Sequence, residues 1–392
     1  VDVQQATRIK WLPEAIDFLW ESIMVKLDLV GKTGEIELEK WNIVPRFIDR
    51  VDIEQLLVTT RPPMEVEDQS VPTETPLDRL VDFLYTGLRA VESDDWHASL
   101  EARRRPGGEL NLSEARLKIR PLNASGLTAP VLRGAQSALL MSGTLRPMEH
   151  YAKLLGVQGA LMEAIGSPYP ERSRLVLVDQ SLSTRYKERT TSLWQEIAER
   201  IGIALETMPS NKSALVAFPS YATMECVLSH NVHCGDRLRL IETRDARIED
   251  IKEAIESRPH AVFCVYGGKF SEGVDLAEGG SSLIDIIIGV GIPFSPPTSY
   301  TLALQDWYER RYESGAGFYY TEVLPSIRKV AQLIGRLRRS PSDWGVVLLL
   351  DKRFRKHIRV FGEDIVSDIW PYKTKEELRE AIAQFIDWRT KY

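Results

Sequence analysis

From residue 167 onward, short apolar runs alternate with segments of helical periodicity, and no other feature constrains the fold as tightly. Strands are predicted at 175–179, 214–218, 238–242, 261–265, 282–288 and 345–350. Helices are predicted between and after them, at 191–206, 221–229, 248–257, 298–313 and 321–339. A last helix opens on Thr374-x-x-Glu377, a pair able to cap two backbone N–H groups reciprocally. Strands that alternate with helices imply an α/β fold, a parallel sheet with helices on both faces.

The preceding sequence has a different texture. Over 1–108 the pattern is mainly helical: Pro13 opens a segment with Ile16, Leu19, Trp20, Ile23 and Met24 on one side. Thr75-Pro76 forms an N-cap and first turn ahead of Leu77, Leu80, Val81, Leu84, Leu88 and Val91. Between them, 61–76 is rich in Pro, Thr and acidic residues and reads as a loop. Arg103-Arg104-Arg105 followed by Pro106-Gly107-Gly108 marks a boundary; the arginines suit either nucleic acid or solvent. The expected domains are 1–109, 110–166 (short strands and a Ser-Gly-Thr turn) and 167–392.

Composition limits the partners. A hydrophobic fraction of 43% with 27% charged residues belongs to an ordinary globular protein. The net charge of −6 argues against indiscriminate polyanion binding, so any nucleic-acid contact must come from a local patch. No apolar run reaches membrane-spanning length, and Val1-Asp2-Val3-Gln4-Gln5 is neither a signal peptide nor a start at Met, which suggests a fragment or a processed chain. The three cysteines, Cys226, Cys234 and Cys264, make no disulfide framework and suit a reducing interior. Cys226, His230, His233 and Cys234 have the spacing C-x3-H-x2-H-C, which differs from paired structural zinc spacing, so no metal is expected there.

Three motifs carry chemistry. Gln332-Leu333-Ile334-Gly335-Arg336-Leu337-Arg338-Arg339 puts two arginines three residues apart, on one face if the segment is helical, with Gly335 leaving that face open. Two guanidiniums so placed can stabilise a transferring phosphate; a solvated basic face has the same pattern. Tyr266-Gly267-Gly268-Lys269-Phe270-Ser271-Glu272-Gly273-Val274-Asp275-Leu276 follows the 261–265 strand, at the edge where open parallel sheets bind ligands. Ser137-Ala138-Leu139-Leu140-Met141-Ser142-Gly143-Thr144-Leu145 reads as a strand ending in Ser-Gly-Thr, before a helix that Pro147 opens and Gly156 stops. Each of the last two also fits a plain strand-to-helix turn.

The order of the three resembles motifs III, V and VI of superfamily 2 helicases. The neighbouring Ile241-Glu242-Thr243-Arg244-Asp245, Gly291-Ile292-Pro293-Phe294 and Asp351-Lys352-Arg353-Phe354 are similar to the xeroderma pigmentosum group D (XPD) branch, which includes DinG-type relatives. The resemblance runs from Leu117 to Tyr392 and implies that 167–392 is the second RecA-like motor domain, 110–166 the tail of the first and 1–109 a mainly helical Arch-like domain. It implies an ATP-dependent 5′–3′ DNA helicase of DNA repair, including nucleotide excision repair, intracellular, cytoplasmic in a prokaryote and nuclear in a eukaryote.

The resemblance also implies what lies elsewhere. The one Gly-Lys-Thr, Gly31-Lys32-Thr33, has Lys26 where a P-loop needs glycine, and there is no Asp-Glu-x-His or Asp-Glu-x-Asp. ATP and Mg2+ would therefore be shared with a first motor domain, and a 4Fe-4S cluster would lie upstream. Carried onto matching positions, Arg336 and Arg339 would reach the phosphates, Gln332 would hold the nucleotide, and Gly273 and Asp275 would line the cleft. Ser220, Tyr221 and Ser271 would touch single-stranded DNA, Thr144 would couple the ATP state to DNA, and Tyr186 and Arg353 are further DNA candidates. The expected partners are single-stranded DNA, the N-terminal motor domain and repair factors, with no membrane. The alternative is a non-catalytic module that binds DNA or a protein partner.

Overall fold

The computed structural model describes residues 14, 17–18, 21, 35–37, 79, 82–83, 86–87, 90, 93–104, 110–271 and 276–391. The Arch-like helices expected over 13–24 and 77–91 lie mostly outside these residues, and Gly31-Lys32-Thr33, Gly273 and Asp275 lie wholly outside. The chain divides into two compact units, one of residues 1–136, 154–157 and 296–321, the other of 137–153, 158–295 and 322–392.

In the first unit, β1 (Glu35–Glu37), β2 (Trp96–Arg104) and β3 (Leu110–Pro121) form an antiparallel sheet. The boundary expected at 109–110 thus falls between two paired strands. Helix α1 (Ser125–Gly134) follows β3. A later helix of the same unit, 299–311, packs Trp307 and Tyr308 with Leu122. The Trp307 indole N–H donates to Asp95 at 2.7 Å and the Tyr300 hydroxyl to the Pro121 carbonyl at 2.8 Å.

The second unit is built on one seven-stranded sheet. Its strands are β4 (Arg174–Asp179), β5 (Ser213–Phe218), β6 (Leu238–Ile241), β7 (His260–Val265), β10 (Ile284–Val290), β11 (Gly345–Leu350) and β12 (Ile369–Tyr372), with a small hairpin of β8 (Ala277–Glu278) and β9 (Ser281–Ser282) beside it. The order is β12-β4-β11-β10-β5-β7-β6, and every pairing is parallel. Strands β5, β7, β10 and β11 are buried along their whole length, which is why they read as unbroken apolar runs.

Helices α3 (Thr191–Thr207), α4 (Tyr221–Leu228) and α8 (Lys375–Lys391) share one core with Phe218, Phe263, Ile286 and Leu348 of the sheet. Helix α7 (Leu324–Ile334) packs against β10. Further helices include α2 (Met148–Leu155), α5 (Ile248–Ser257) and α6 (Ser299–Arg311). Helix α2 begins and ends as predicted, with Gly156 at φ +69° after it. The α8 capping box forms: the Thr374 hydroxyl accepts from Glu377 N–H at 3.2 Å, and the Glu377 carboxylate accepts from Thr374 N–H at 3.3 Å. No described helix is long and apolar enough to cross a membrane.

Three elements depart from expectation. Residues 137–142 are not a strand; Leu139 and Met141 are 83% and 85% exposed. No described strand pairs with them, and an apolar run becomes a strand only where a neighbour takes its backbone groups. The helix expected at 321–339 is shorter. A π-type turn at Tyr319–Val323 leads into α7, with Pro325 in its first turn, and α7 stops at Ile334. The strand β12 was not anticipated, because it is short, holds Pro371 and leaves Trp370 62% exposed at the sheet edge.

Candidate nucleotide and strand site

Strand β7 delivers the glycine-rich loop at its carboxyl end, as expected. Glu242, buried at the end of β6, organises that loop. Its carboxylate accepts from Val265 N–H at 3.0 Å and Phe270 N–H at 3.3 Å. A Cβ on Gly268 would stand 2.6 Å from both Glu242 carboxylate oxygens, so this carboxylate can occupy its place only beneath a glycine. Gly267 takes φ +73°, and Lys269 reaches back to the carbonyls of Arg244 and Ala246 at 3.3 and 2.9 Å. Ser271 is buried and donates to the Gly268 carbonyl at 3.1 Å, so its hydroxyl keeps only acceptor capacity for a strand.

Arg336 and Arg339 do not share a helix face. Gly335 caps α7, and Arg336 N–H and Leu337 N–H bond the carbonyls of Leu333 and Ile334 in a tightened last turn, each at 3.1 Å. Leu337 and Arg338 then turn inward. Arg338 is buried and donates to Ser173 at 2.8 Å. The buried Asp343 carboxylate fixes the turn by accepting from Arg339 N–H at 2.7 Å, Ser340 N–H at 2.8 Å and Ser282 N–H at 3.0 Å. The Ser282 hydroxyl donates to the Arg336 carbonyl at 2.9 Å.

The turn sits at the amino ends of β10 and β4, where Ser282 and Ser173 hold it. Burial pushes the Cys264 thiol well up, the Glu242 carboxylate adds to that, and Arg336 opposes it. Gln332 is exposed in the last turn of α7. Gly335 has φ −60° and room for a side chain, a Cβ there meeting no atom nearer than 3.4 Å. Among the described residues, nothing demands glycine at 335.

The strand candidates separate into groups. Ser220 caps α4, accepting from Thr223 N–H at 3.2 Å, and Tyr221 beside it has the Arg244 guanidinium 5.6 Å from its ring. With Ser271 they line the carboxyl ends of the neighbouring strands β5 and β7. Tyr186 is 82% exposed in the turn after β4. Arg353 is engaged internally, donating to Asp351 at 2.9 and 2.7 Å and to the Thr184 hydroxyl at 2.9 Å. Thr144 lies in a turn whose N–H bonds the Ser142 hydroxyl at 3.2 Å.

Of the Cys/His group, His233 pairs with Glu206 at 2.8 Å. Among the described residues, no three His, Cys, Asp or Glu gather to hold a metal ion. Sequence reasoning missed Glu242 and Asp343. Glu242 is sealed beneath N–H groups remote in sequence and stood out only as part of the 241–245 resemblance, whereas Asp343 takes the nearby Arg339 and Ser340 N–H groups together with the distant Ser282 N–H.

Comparison with known proteins places this arrangement. Residues 204–366 match the helicase C-terminal domain family. Two solved XPD helicase structures cover 89% of this chain and 67% and 75% of theirs, at TM-scores of 0.53 and 0.52 and 21% and 20% identity, which fixes the fold. The second unit therefore has the α/β RecA-like fold of those structures. The ATP-dependent DNA helicase XPD of Sulfolobus acidocaldarius is 29% identical over 56% of this chain and 39% of its own length. The DinG helicase of Photobacterium profundum is 28% identical over 61% and 34%, and the XPD subunit of the general transcription and DNA repair factor IIH of Saccharomyces cerevisiae 27% over 60% and 32%. The chain is similar to the C-terminal part of XPD/DinG-like superfamily 2 helicases and spans two fifths or less of the length of these curated relatives.

Proposed function

We propose that this chain supplies the second motor domain of an ATP-dependent DNA helicase that travels 5′ to 3′ on single-stranded DNA in intracellular DNA repair. ATP and Mg2+ bind between this domain and a P-loop motor domain. Arg336 and Arg339 neutralise charge on the transferring phosphate, Gln332 holds the nucleotide, and Gly273 and Asp275 line the cleft. Ser220, Tyr221 and Ser271 take the strand, the Ser220 and Tyr221 hydroxyls serving to position phosphates without reading bases. Thr144 couples the nucleotide state to the strand.

The observation that carries this reading is the Asp343-held turn. It fixes the backbone of Arg336 and Arg339 beside Gly335, where the described neighbours leave room for a Cβ. The exposed run 138–141 agrees with it, as a strand of the first motor domain's sheet. An Fe–S cluster of this kind needs four thiolates. The three cysteines here, with Cys264 sealed inside β7, do not fit one, so any cluster is held by residues outside this sequence.

The test is unwinding by the helicase that carries this segment. A duplex with a 5′ single-stranded tail should open with ATP and one with a 3′ tail should not, while the 392-residue chain alone hydrolyses no ATP. Preference for the 3′ tail would refute the polarity. DNA-stimulated hydrolysis by the chain alone would refute the shared site.

A further inference from the structure

Between Arg336 and Arg339 stands Arg338, which is buried, and the segment that leads into β4 takes hold of it twice. The Ser173 hydroxyl accepts from the Arg338 guanidinium at 2.8 Å and itself donates to the Pro170 carbonyl at 2.8 Å. Tyr169 meets the same guanidinium with its ring, 4.5 Å from the centroid, and its hydroxyl donates to the Arg338 carbonyl at 3.0 Å. Asp364 lies 3.7 Å from Arg338 and 3.4 Å from Arg174, so the buried charge has an acid beside it.

The backbone that carries Tyr169 is restrained. Pro168 and Pro170 flank it, and each ring fixes its own φ and pushes the residue before it out of the helical region. The next turn closes through Ser173 N–H on the Pro170 carbonyl at 3.3 Å, with Arg172 at φ +57°. A residue other than glycine keeps that left-handed backbone only where its surroundings hold it, and here the Arg172 guanidinium lies 5.6 Å from the Trp388 ring. The Tyr169 hydroxyl is thus presented from a stiff support.

These bonds meet on one peptide group. The carbonyl of Arg338 and the N–H of Arg339 belong to the same planar unit. Tyr169 holds its oxygen end at 3.0 Å and Asp343 its nitrogen end at 2.7 Å. A plane bonded at both ends cannot turn about its flanking single bonds without losing a partner, so this pair sets the direction in which the Arg339 side chain leaves the backbone. We propose that Tyr169 is a positioning residue for phosphoryl transfer, aiming Arg339 through the Arg338 carbonyl. This role rests on the motor reading, in which Arg339 neutralises charge on the transferring phosphate. It falls to a tyrosine that lies outside all three sequence motifs.

The test is steady-state ATP turnover by the intact helicase at saturating single-stranded DNA, with kcat and KM for ATP measured for wild type, Tyr169→Phe, Arg339→Ala and the double variant. Phenylalanine keeps the ring beside Arg338 and removes only the bond to the carbonyl, so the fold is retained. Tyr169→Phe should lower kcat roughly 2- to 10-fold, the scale of one hydrogen bond, and leave KM within about two-fold of wild type. In the Arg339→Ala background the same change should leave the residual kcat unaltered, because no guanidinium remains to be aimed. Wild-type kcat in Tyr169→Phe, with turnover collapsed in Arg339→Ala, overturns the positioning role and leaves the motor reading standing. An equal fall of kcat in both backgrounds, or a loss that appears in KM instead, overturns it as well. Wild-type turnover in Arg339→Ala defeats the motor reading itself, and the positioning role with it.

Discussion

Two glycines a short distance apart in function behave oppositely as physical objects. Gly335 has helical φ and space for a methyl group, so Gly335→Ala should leave stability unchanged or raise it by up to about 1 kcal/mol, since glycine costs helical backbone entropy. Gly268→Ala drives a Cβ into the Glu242 carboxylate and should cost on the order of 1–3 kcal/mol, because the loop's two N–H bonds to that carboxylate must move. Urea unfolding of both variants checks the pair. A destabilised Gly335→Ala or a neutral Gly268→Ala would break the account of these turns. At this scale the sequence was informative about residue type and poor about direction. The Arg336/Arg339 spacing read as a helix face, yet the helix ends at Ile334 because Leu337 and Arg338 are drawn into the core and Asp343 captures the next N–H groups. Arg353 read as an outward cation and is bound to Asp351, a partner two residues away whose burial no local pattern reveals.

Elements were most legible where burial is two-sided. Strand 345–350 and helix 248–257 fall where periodicity puts them, since a central parallel strand must be apolar throughout and α5 keeps one buried stripe. The edge strand β12 escaped because only one of its sides pairs, with β4, and Pro371 and Trp370 break the expected pattern. The 137–142 run shows the converse, since its composition reads as a strand and no described strand pairs with it. The α8 cap was readable because both its members sit in one short stretch. Thr374→Ala should cost about 1 kcal/mol, with roughly 0.5–2 the usual range for removal of an N-cap, and should leave strand binding unaltered. Unchanged stability in chemical denaturation would show that the box contributes nothing beyond propensity.

For the whole molecule, alternating strands and helices announced the RecA-like sheet, and the order of three motifs announced the helicase branch. The acids that hold these loops were not legible, because their role depends on burial and on remote contacts: Glu242 under Gly268, and Asp343 joining Ser282 to the Arg339 turn. The central claim is that these contacts hold Arg336 and Arg339 for a nucleotide bound by another domain. It is tested most directly by ATP turnover at saturating single-stranded DNA in the intact helicase, for wild type and for Arg336→Ala and Arg339→Ala separately. The account predicts a fall in kcat of at least about 100-fold in each, the scale of an arginine finger being larger still, with strand affinity changed much less. Turnover within a few-fold of wild type in both variants would contradict it.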